Sequence, residues 1–322
     1  MQSTGAAAVS VVVPSYNHAR FVGAALRSVF RQTQAPARLV VIDDGSEDDS
    51  ARVAERALRD CPFPCELIAR PNRGLCATLN EGLARTGGEF FAYLSSDDLW
   101  LPGFLEARVR LLRERGRAVL AYGHCFLIDE AGRVVDCTRD WADYADGDAR
   151  EMLLRTVAPM SPTVVYRREA LARHGWNEEA RLEDYELYLR LAPEGEFAFD
   201  PQVLSAWRRH GSNTSRSQRM MLEEHLAAQR RVLPAYGLGE AEVARLHARL
   251  RFARAEDFLR LGDKREALRL MRANLAGASP RAAARLLLRL LIPYPLVRRR
   301  AARRHRRAAE RYGTMEEMMN AE

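Results

Sequence analysis

The chain has 322 residues, 47% of them hydrophobic and 29% charged. That length suits two domains, or one large one with an appendage, and the composition allows a sizeable core and excludes global disorder. The formal net charge is +7 and all basic side chains but Lys264 are arginine, which reads mainly as coding bias in an alanine-rich chain. The charge is uneven. Arg298, Arg299, Arg300, Arg303, Arg304, Arg306, Arg307 and Arg311 crowd the end of the chain, either to meet something anionic or as a solvated helix end. The five cysteines, Cys61, Cys65, Cys76, Cys125 and Cys137, show no C-x-x-C and no nearby His pattern. They point to reduced thiols in a cytosolic protein, against a disulfide framework or a structural zinc site. No basic region precedes the first apolar stretch, so no signal peptide is expected. The most apolar run, Leu286 to Val297, is too short to span a membrane and contains Arg289, Pro293 and Pro295.

In chain order, Val9 to Val13 is a β-branched run of the kind found in a strand buried on both faces. A turn at Pro14-Ser15-Tyr16-Asn17 follows, then Val22, Leu26, Val29 and Phe30 at helical spacing. Leu39 to Ile42 is a second buried strand, ending at Asp43-Asp44-Gly45-Ser46, with Ser46 and Asp49 placed like a capping box. Glu66 to Ala69 suits a third strand and Asn72 to Arg85 a helix. Phe90 to Leu94 is a strand ending at Ser95-Ser96-Asp97-Asp98, and Pro102 suits the first turn of the next helix. Ala118 to Tyr122 is a further strand. This alternation predicts an α/β fold, a mainly parallel mixed sheet with flanking helices, and polar clusters along its carboxyl edge, where such sheets bind ligands.

Beyond residue 215 the pattern becomes helical, over 216–235, 239–261, 264–275 and 280–292. The expected division is a domain over 1–215 and a helical C-terminal region with a basic tail over 216–322. Leu259 to Asp263 followed by Glu266-Ala267-Leu268 resembles one turn of a helical-hairpin repeat, without a repeat period.

Four clusters could carry chemistry, and each has an ordinary structural reading. Asp97-Asp98 at a strand end could hold a hard cation such as Mg²⁺ or Mn²⁺, or cap a helix. Asp43-Asp44 could accept a base N–H, or form a turn. Glu183-Asp184 could include a general base, or complement a helix N-terminus. Trp207-Arg208-Arg209-His210 with Ser212-Asn213 could meet phosphate or metal, or be a surface loop. Taken singly, none is specific.

Their order and spacing are specific. Val11-Val12-Val13-Pro14-Ser15-Tyr16-Asn17, Val41-Ile42-Asp43-Asp44-Gly45-Ser46, Asn72-Arg73-Gly74-Leu75, Leu94-Ser95-Ser96-Asp97-Asp98-Leu99-Trp100, Leu182-Glu183-Asp184-Tyr185-Glu186-Leu187 and Arg208-Arg209-His210-Gly211-Ser212-Asn213 together resemble family 2 glycosyltransferases of the GT-A fold over roughly residues 8 to 215. The resemblance implies an inverting enzyme that uses a nucleoside-diphosphate sugar and a divalent cation, Mg²⁺ or Mn²⁺. By motif it places Asp184 as catalytic base. It places Pro14, Tyr16, Asn17, Asp44, Asn72, Arg73, Asp97 and Arg208 at the nucleotide, with Asp44 on a ring N–H. Asp98, Asp97 and His210 fall at the metal. The family's fuller form has aspartate where Ser95 stands, which leaves open which of Asp97 and Asp98 is the main ligand.

The sequence rejects two other classes. The first strand has no G-x-G-x-x-G after it, and the chain has no G-x-x-x-x-G-K-[ST]. The arginine tail comes with no recognised nucleic-acid module, so no nucleic acid is expected. An inactive carbohydrate- or nucleotide-binding relative is the alternative that Ser95 keeps open. A glycan or lipid-linked acceptor, in polysaccharide, O-antigen or glycolipid synthesis, is implied by family analogy alone. Segment 280–307 pairs leucines with arginines, as suits an anionic membrane surface at the cytoplasmic inner face, or as suits packing with solvated arginines.

Overall fold

The computed structural model describes residues 9–211, 213 and 217–320. Ser212 and the expected boundary at 215–216 lie outside the described residues. The first half alternates as the apolar runs predict: β1 (Val9–Ser15), α1 (Val22–Phe30), β2 (Arg38–Asp43), α2 (Ser50–Leu58), β3 (Cys65–Ala69), α3 (Leu75–Arg85) and β4 (Phe90–Tyr93). Every residue of β1 is buried, because helices cover both of its faces. Val11 and Val13 pack with Val22, Leu26 and Val29 of α1, whereas Val12 packs with Leu79 and Leu83 of α3. These strands pair in parallel in the order β3-β2-β1-β4.

The chain continues through β5 (Leu99–Trp100), α4 (Phe104–Glu114), β6 (Ala118–Ile128), β7 (Val134–Cys137), α5 (Arg150–Leu154), β8 (Val165–Arg167), α6 (Arg168–His174), α7 (Glu183–Leu191) and β9 (Glu196–Arg208). Here the sheet becomes mixed. β8 lies antiparallel between β4 and β6, β9 runs parallel to β6, and β5 is antiparallel to β9. Two local expectations differ. Ser46 donates to Asp43 instead of capping α2, and Pro102 lies just ahead of α4, whose N-cap is Gly103.

The β6–β9 pair carries register shifts around Gly123 and His124, and a buried ion pair fills the bend. Arg108 of α4 is fully buried; it pairs with Asp200 of β9 and donates from Nε to the Thr163 carbonyl at 3.2 Å. Glycine is required opposite: a Cβ at Gly123 would stand 2.4 Å from the Asp200 carbonyl oxygen and 2.3 Å from Arg108 Nη2.

The C-terminal helices are α8 (Gln218–Val232), α9 (Glu240–Leu261), α10 (Lys264–Ala273), α11 (Pro280–Leu290), α12 (Tyr294–Tyr312) and α13 (Met315–Asn320). Helices α8 to α11 share an apolar core that includes Leu222, Leu226, Leu250, Phe258, Leu270 and Leu286. The α9–α10 hairpin turns at Gly262, whose φ of +89° suits glycine, and Asp263 caps α10 through the Glu266 N–H. The end of the chain then returns to the sheet. Ala308 and Met315 pack on Ile128, Val134 and Cys137. The Val134 N–H donates to the Gly313 carbonyl at 3.2 Å, and the Met315 N–H to the Gly132 carbonyl at 3.0 Å. Among the described residues no helix is long and apolar enough to cross a membrane.

Gly123→Ala is expected to force the β6–β9 bend apart or displace the Arg108 guanidinium, destabilising the fold by about 1–3 kcal/mol. Urea denaturation of the two proteins checks this; an unchanged midpoint would show that the bend is compliant.

Candidate active site

Strands β1, β2 and β4 end at one edge of the sheet, and hydrogen bonds tie their terminal turns together. The Asp44 N–H donates to the Ser15 carbonyl at 2.8 Å, and the Ser96 N–H to the Pro14 carbonyl at 3.3 Å. The clusters at 14–17, 43–46 and 95–98 are therefore adjacent, at the edge where α/β sheets bind ligands. Pro14 is buried in this seam and Tyr16 stands 45% exposed. Asn17, with φ of +54°, joins the first turn to the second. Its N–H donates to Ser46 Oγ and its Oδ1 accepts the Glu47 N–H.

Asp44 is buried and draws Asn72 and Arg73 to the edge. Its carboxylate accepts the Arg73 and Gly74 N–H groups, each at 2.8 Å, and the Arg70 guanidinium. Its carbonyl accepts from Asn72 Nδ2 at 2.9 Å. These three donors fold the 70–74 turn at the start of α3 and leave the carboxylate about one further acceptor position.

The adjacent aspartates face opposite ways. Asp97 Oδ2 lies 2.8 Å from His210 Nε2, and its Oδ1 is 3.8 Å from His18 Nδ1. The ligand atoms of His18, Asp97 and His210 all fall within 4.8 Å of one another. One carboxylate and two imidazoles are a donor set that suits a divalent transition ion. Asp98, the other aspartate expected at the metal, meets the main chain; its Oδ1 accepts the Arg208 N–H at 2.8 Å. Burial, and then the neighbouring Asp97 charge, hold its carboxyl well above the ordinary range. Among the described residues, the cluster of metal-ligating atoms includes Asp97 and not Asp98. His18 went unmarked in the sequence because it belongs to no recognised cluster. Its place one residue after Pro14-Ser15-Tyr16-Asn17, at the carboxyl end of a buried strand, was the available signal.

The Arg208 guanidinium is buried among main-chain carbonyls. Nε donates to Asp97 at 2.8 Å, and Nη1 to Asp129 and Glu130 at 3.1 Å each. Its face lies 5.0 Å from the Phe21 ring centre. Asn213 closes the loop, donating from Nδ2 to the Arg208 carbonyl at 3.1 Å and accepting the His210 N–H at Oδ1.

Glu183 and Asp184 form the first turn of α7. Tyr93, at the end of β4, donates to Glu183 Oε1 at 3.2 Å, and the Tyr185 hydroxyl anchors the helix to the Leu153 carbonyl at 2.8 Å. Asp184 Oδ1 accepts the Tyr185 N–H at 2.6 Å, which leaves its other oxygen for a ligand. Burial, followed by the Asp184 charge, raises the proton affinity of Glu183, and burial raises that of Asp184. The Asp97 charge also adds to the raised proton affinity of Glu183. One cleft of ≈ 250 Å³ is bordered by Asn17, His18, Phe21, Asp48 and His210. Another of ≈ 350 Å³ is bordered by Arg73, Leu75, Cys76, Glu183 and Met220.

The sequence pattern described as glycosyl transferase family 2 matches residues 10–175, about half of the chain. The chain belongs to glycosyl transferase family 2. An uncharacterized glycosyltransferase of Nostoc sp. is 30% identical over 169 residues, which cover 51% of this chain and 52% of that one. The chain thus aligns with about half the length of that relative. A Rickettsia typhi protein, also an uncharacterized glycosyltransferase, is 26% identical over 70% of this chain and 71% of its own. Chondroitin synthase of Escherichia coli is 26% identical over 64% of this chain but only 30% of its own length. Among solved structures, the mannosyltransferase of Pyrobaculum calidifontis in complex with GDP-Man and Mn²⁺ superposes with a TM-score of 0.62 at 19% identity, covering 96% of this chain and 87% of that one. Residues 1–349 of S. aureus TarS in complex with UDP-GlcNAc give 0.59 at 18% identity, covering 95% and 92%. At these identities the likeness is one of fold, the GT-A fold. Within it, this family 2 glycosyltransferase has Asp97 beside two histidines.

Arg208→Met would strand the buried Asp97 carbonyl, at about 1–3 kcal/mol, and remove the donor from the part-buried carbonyls of Asp129 and Glu130. The expected result is a loss of at least about 2 kcal/mol in urea denaturation. Wild-type stability would mean that the three carbonyls find other partners.

Proposed function

We propose that the chain moves a sugar from a nucleoside-diphosphate donor to an acceptor hydroxyl by single, inverting displacement, with Mg²⁺ or Mn²⁺ at His18, Asp97 and His210. The observation that carries this reading is the placement of two unlike groups beyond the end of β4, where Asp97 follows the strand and Glu183 is held by Tyr93. On one side Asp97 stands between two imidazoles; on the other, the Glu183–Asp184 pair opens α7. The GDP-Man with Mn²⁺ and the UDP-GlcNAc held by proteins of the same fold support a donor of this class. A relative named chondroitin synthase supports a glycan acceptor; a lipid-linked acceptor, as in O-antigen or glycolipid synthesis, has the same hydroxyl chemistry.

A sugar hydroxyl is a weak nucleophile, so removing its proton during attack contributes roughly 10²–10⁴-fold. The free oxygen of Asp184 takes that proton. The acceptor oxygen bonds to the anomeric carbon as the bond from that carbon to the phosphate oxygen breaks, and the electron pair leaves with the diphosphate. Attack from the face opposite the leaving group inverts the centre. A bound cation supplies Lewis-acid stabilisation of charge on the diphosphate. Asp97, His18 and His210 would hold it, and Arg208 and Asp98 fix the loop that aims them. Glu183, tied to Tyr93, holds the base in register with the sheet.

Donor hydrolysis and transfer with GDP- and UDP-sugars, with and without Mn²⁺, test the whole reading; activity indifferent to the metal would remove the cation from it. Asp184→Asn is expected to lower transfer by roughly 10²–10⁴-fold with diphosphate affinity retained. A variant turning over near the wild-type rate would refute the assignment. The base works ionised and its proton affinity is raised. Wild-type activity should therefore fall with acid at a pH above the ordinary aspartate value of about 4.

Calorimetry with Mn²⁺ and nucleoside diphosphate isolates the cation site. Asp97→Ala, His18→Ala and His210→Ala should each weaken binding by about tenfold or more, equivalent to at least about 1.4 kcal/mol. Unchanged affinity in Asp97→Ala would count decisively against the site.

A further inference from the structure

The corner between α11 and α12 carries a surface that the transfer chemistry does not use. Five of the ten large apolar side chains exposed among the described residues fall within 287–296. Leu287 is 50% exposed, Leu288 66% and Leu291 77%, with Tyr294 and Leu296 beside them in sequence. At about 100° per residue, Leu287, Leu288 and Leu291 share one arc of α11 and its continuation. Leu286, on another side of that helix, is buried in the helical core.

Helix α12 divides its faces in the same way. Val297, Ala301, His305, Ala308 and Tyr312 recur on one side and are all buried or partly buried; Ala308 and Tyr312 meet the β6–β7 hairpin. Leu296, Arg299, Arg300, Arg303 and Arg307 recur on the other side, all exposed. Arg304 and Arg311 pair with Asp136 and Asp140. The remaining arginines of the run have no ion-pair partner among the described residues.

We propose that this corner seats the enzyme on an anionic lipid leaflet. Leu287, Leu288 and Leu291 enter the boundary between headgroups and acyl chains, and Arg299, Arg300, Arg303 and Arg307 meet lipid phosphates. Charge decides against the other occupants. A second copy laid face to face would bring like arginine faces together, and a nucleic acid would engage the arginines yet leave the leucines in water. Because α12 is pinned to β7 by its other face, the contact fixes the sheet relative to the leaflet. The surface is independent of the transfer chemistry, and it supplies the membrane contact that a lipid-linked acceptor requires.

Full-length protein is sedimented, without donor or acceptor, with vesicles of phosphatidylcholine alone or with about one part in three phosphatidylglycerol. Binding is expected only with phosphatidylglycerol present, weakening as salt is raised. Arg299→Gln/Arg300→Gln/Arg303→Gln should reduce partitioning by about 100-fold, at about fivefold per arginine. Leu287→Ser/Leu288→Ser/Leu291→Ser should abolish stable binding. These exposed side chains can be changed without removing core contacts, and donor hydrolysis by both variants should match wild type. Binding indifferent to phosphatidylglycerol, or wild-type binding by either variant, overturns the proposal. So does a dimer, seen by light scattering, that the leucine variant dissociates while lipid binding is untouched. Since no sugar transfer is measured in the lipid assay, its failure leaves the catalytic assignment standing.

Discussion

The buried guanidinium of Arg208 is the constraint on which the site depends. It gathers main-chain carbonyls from two otherwise separate turns, Asp97 on one side and Asp129 with Glu130 on the other. Its own N–H is held by Asp98. A guanidinium presents fixed donors in a plane, so satisfying them also sets the end of β9, the turn after β4 and the β6–β7 hairpin relative to one another. His210 follows two residues later and inherits that placement. The carboxylate of Asp97 meets His210, while its carbonyl is held by Arg208 and the side chain of Asp98 by the Arg208 N–H. The acidic pair thus divides, with Asp97 beside two imidazoles and Asp98 bracing the Arg208 loop.

This division explains where sequence reading succeeded. Strands β1, β2 and β4 are buried on both faces, which forces continuous apolar runs such as Val9 to Val13. Those runs locate both the parallel half of the sheet and the edge where the polar clusters collect. The antiparallel additions are less legible. β5 has two residues and β8 three. β9 is interrupted by Asp200 and Pro201, at a bend that only Arg108 and Gly123 explain. The orientation of Asp97 against Asp98 was not legible, because adjacent residues differ there only through tertiary partners. His18 was missed for the same reason: its role arises from a neighbour 79 positions away, Asp97. Asp44 lies at the edge its motif indicates, and its carboxylate also holds Arg70 and the 73–74 amides, partners that a local motif does not display.

The tail shows a second kind of ambiguity, since packing and surface attachment had looked like alternatives for one segment. The helices separate them by face. Leu286, Ala308 and Met315 are buried, whereas Leu287, Leu288 and Leu291 are not. Neighbouring leucines in one run therefore have different fates, decided by helical phase rather than by composition. That phase could be read from the sequence only once the breaks at Leu291–Pro293 and Gly313 were known.

The return of the chain end to β7 has a consequence for the order in which the protein is made. The hairpin that supplies the Asp129 and Glu130 carbonyls is covered along its outer edge by Gly313 to Met315. During synthesis the earlier parts of a chain fold first, and β1 to β9 are complete long before residues 304–315 have left the ribosome. Through that interval β7 is an open strand edge, a surface on which unfinished chains can pair with one another. A nascent chain would therefore hold its sheet before it could lock the loop beside it, and the last helices to emerge would close that edge.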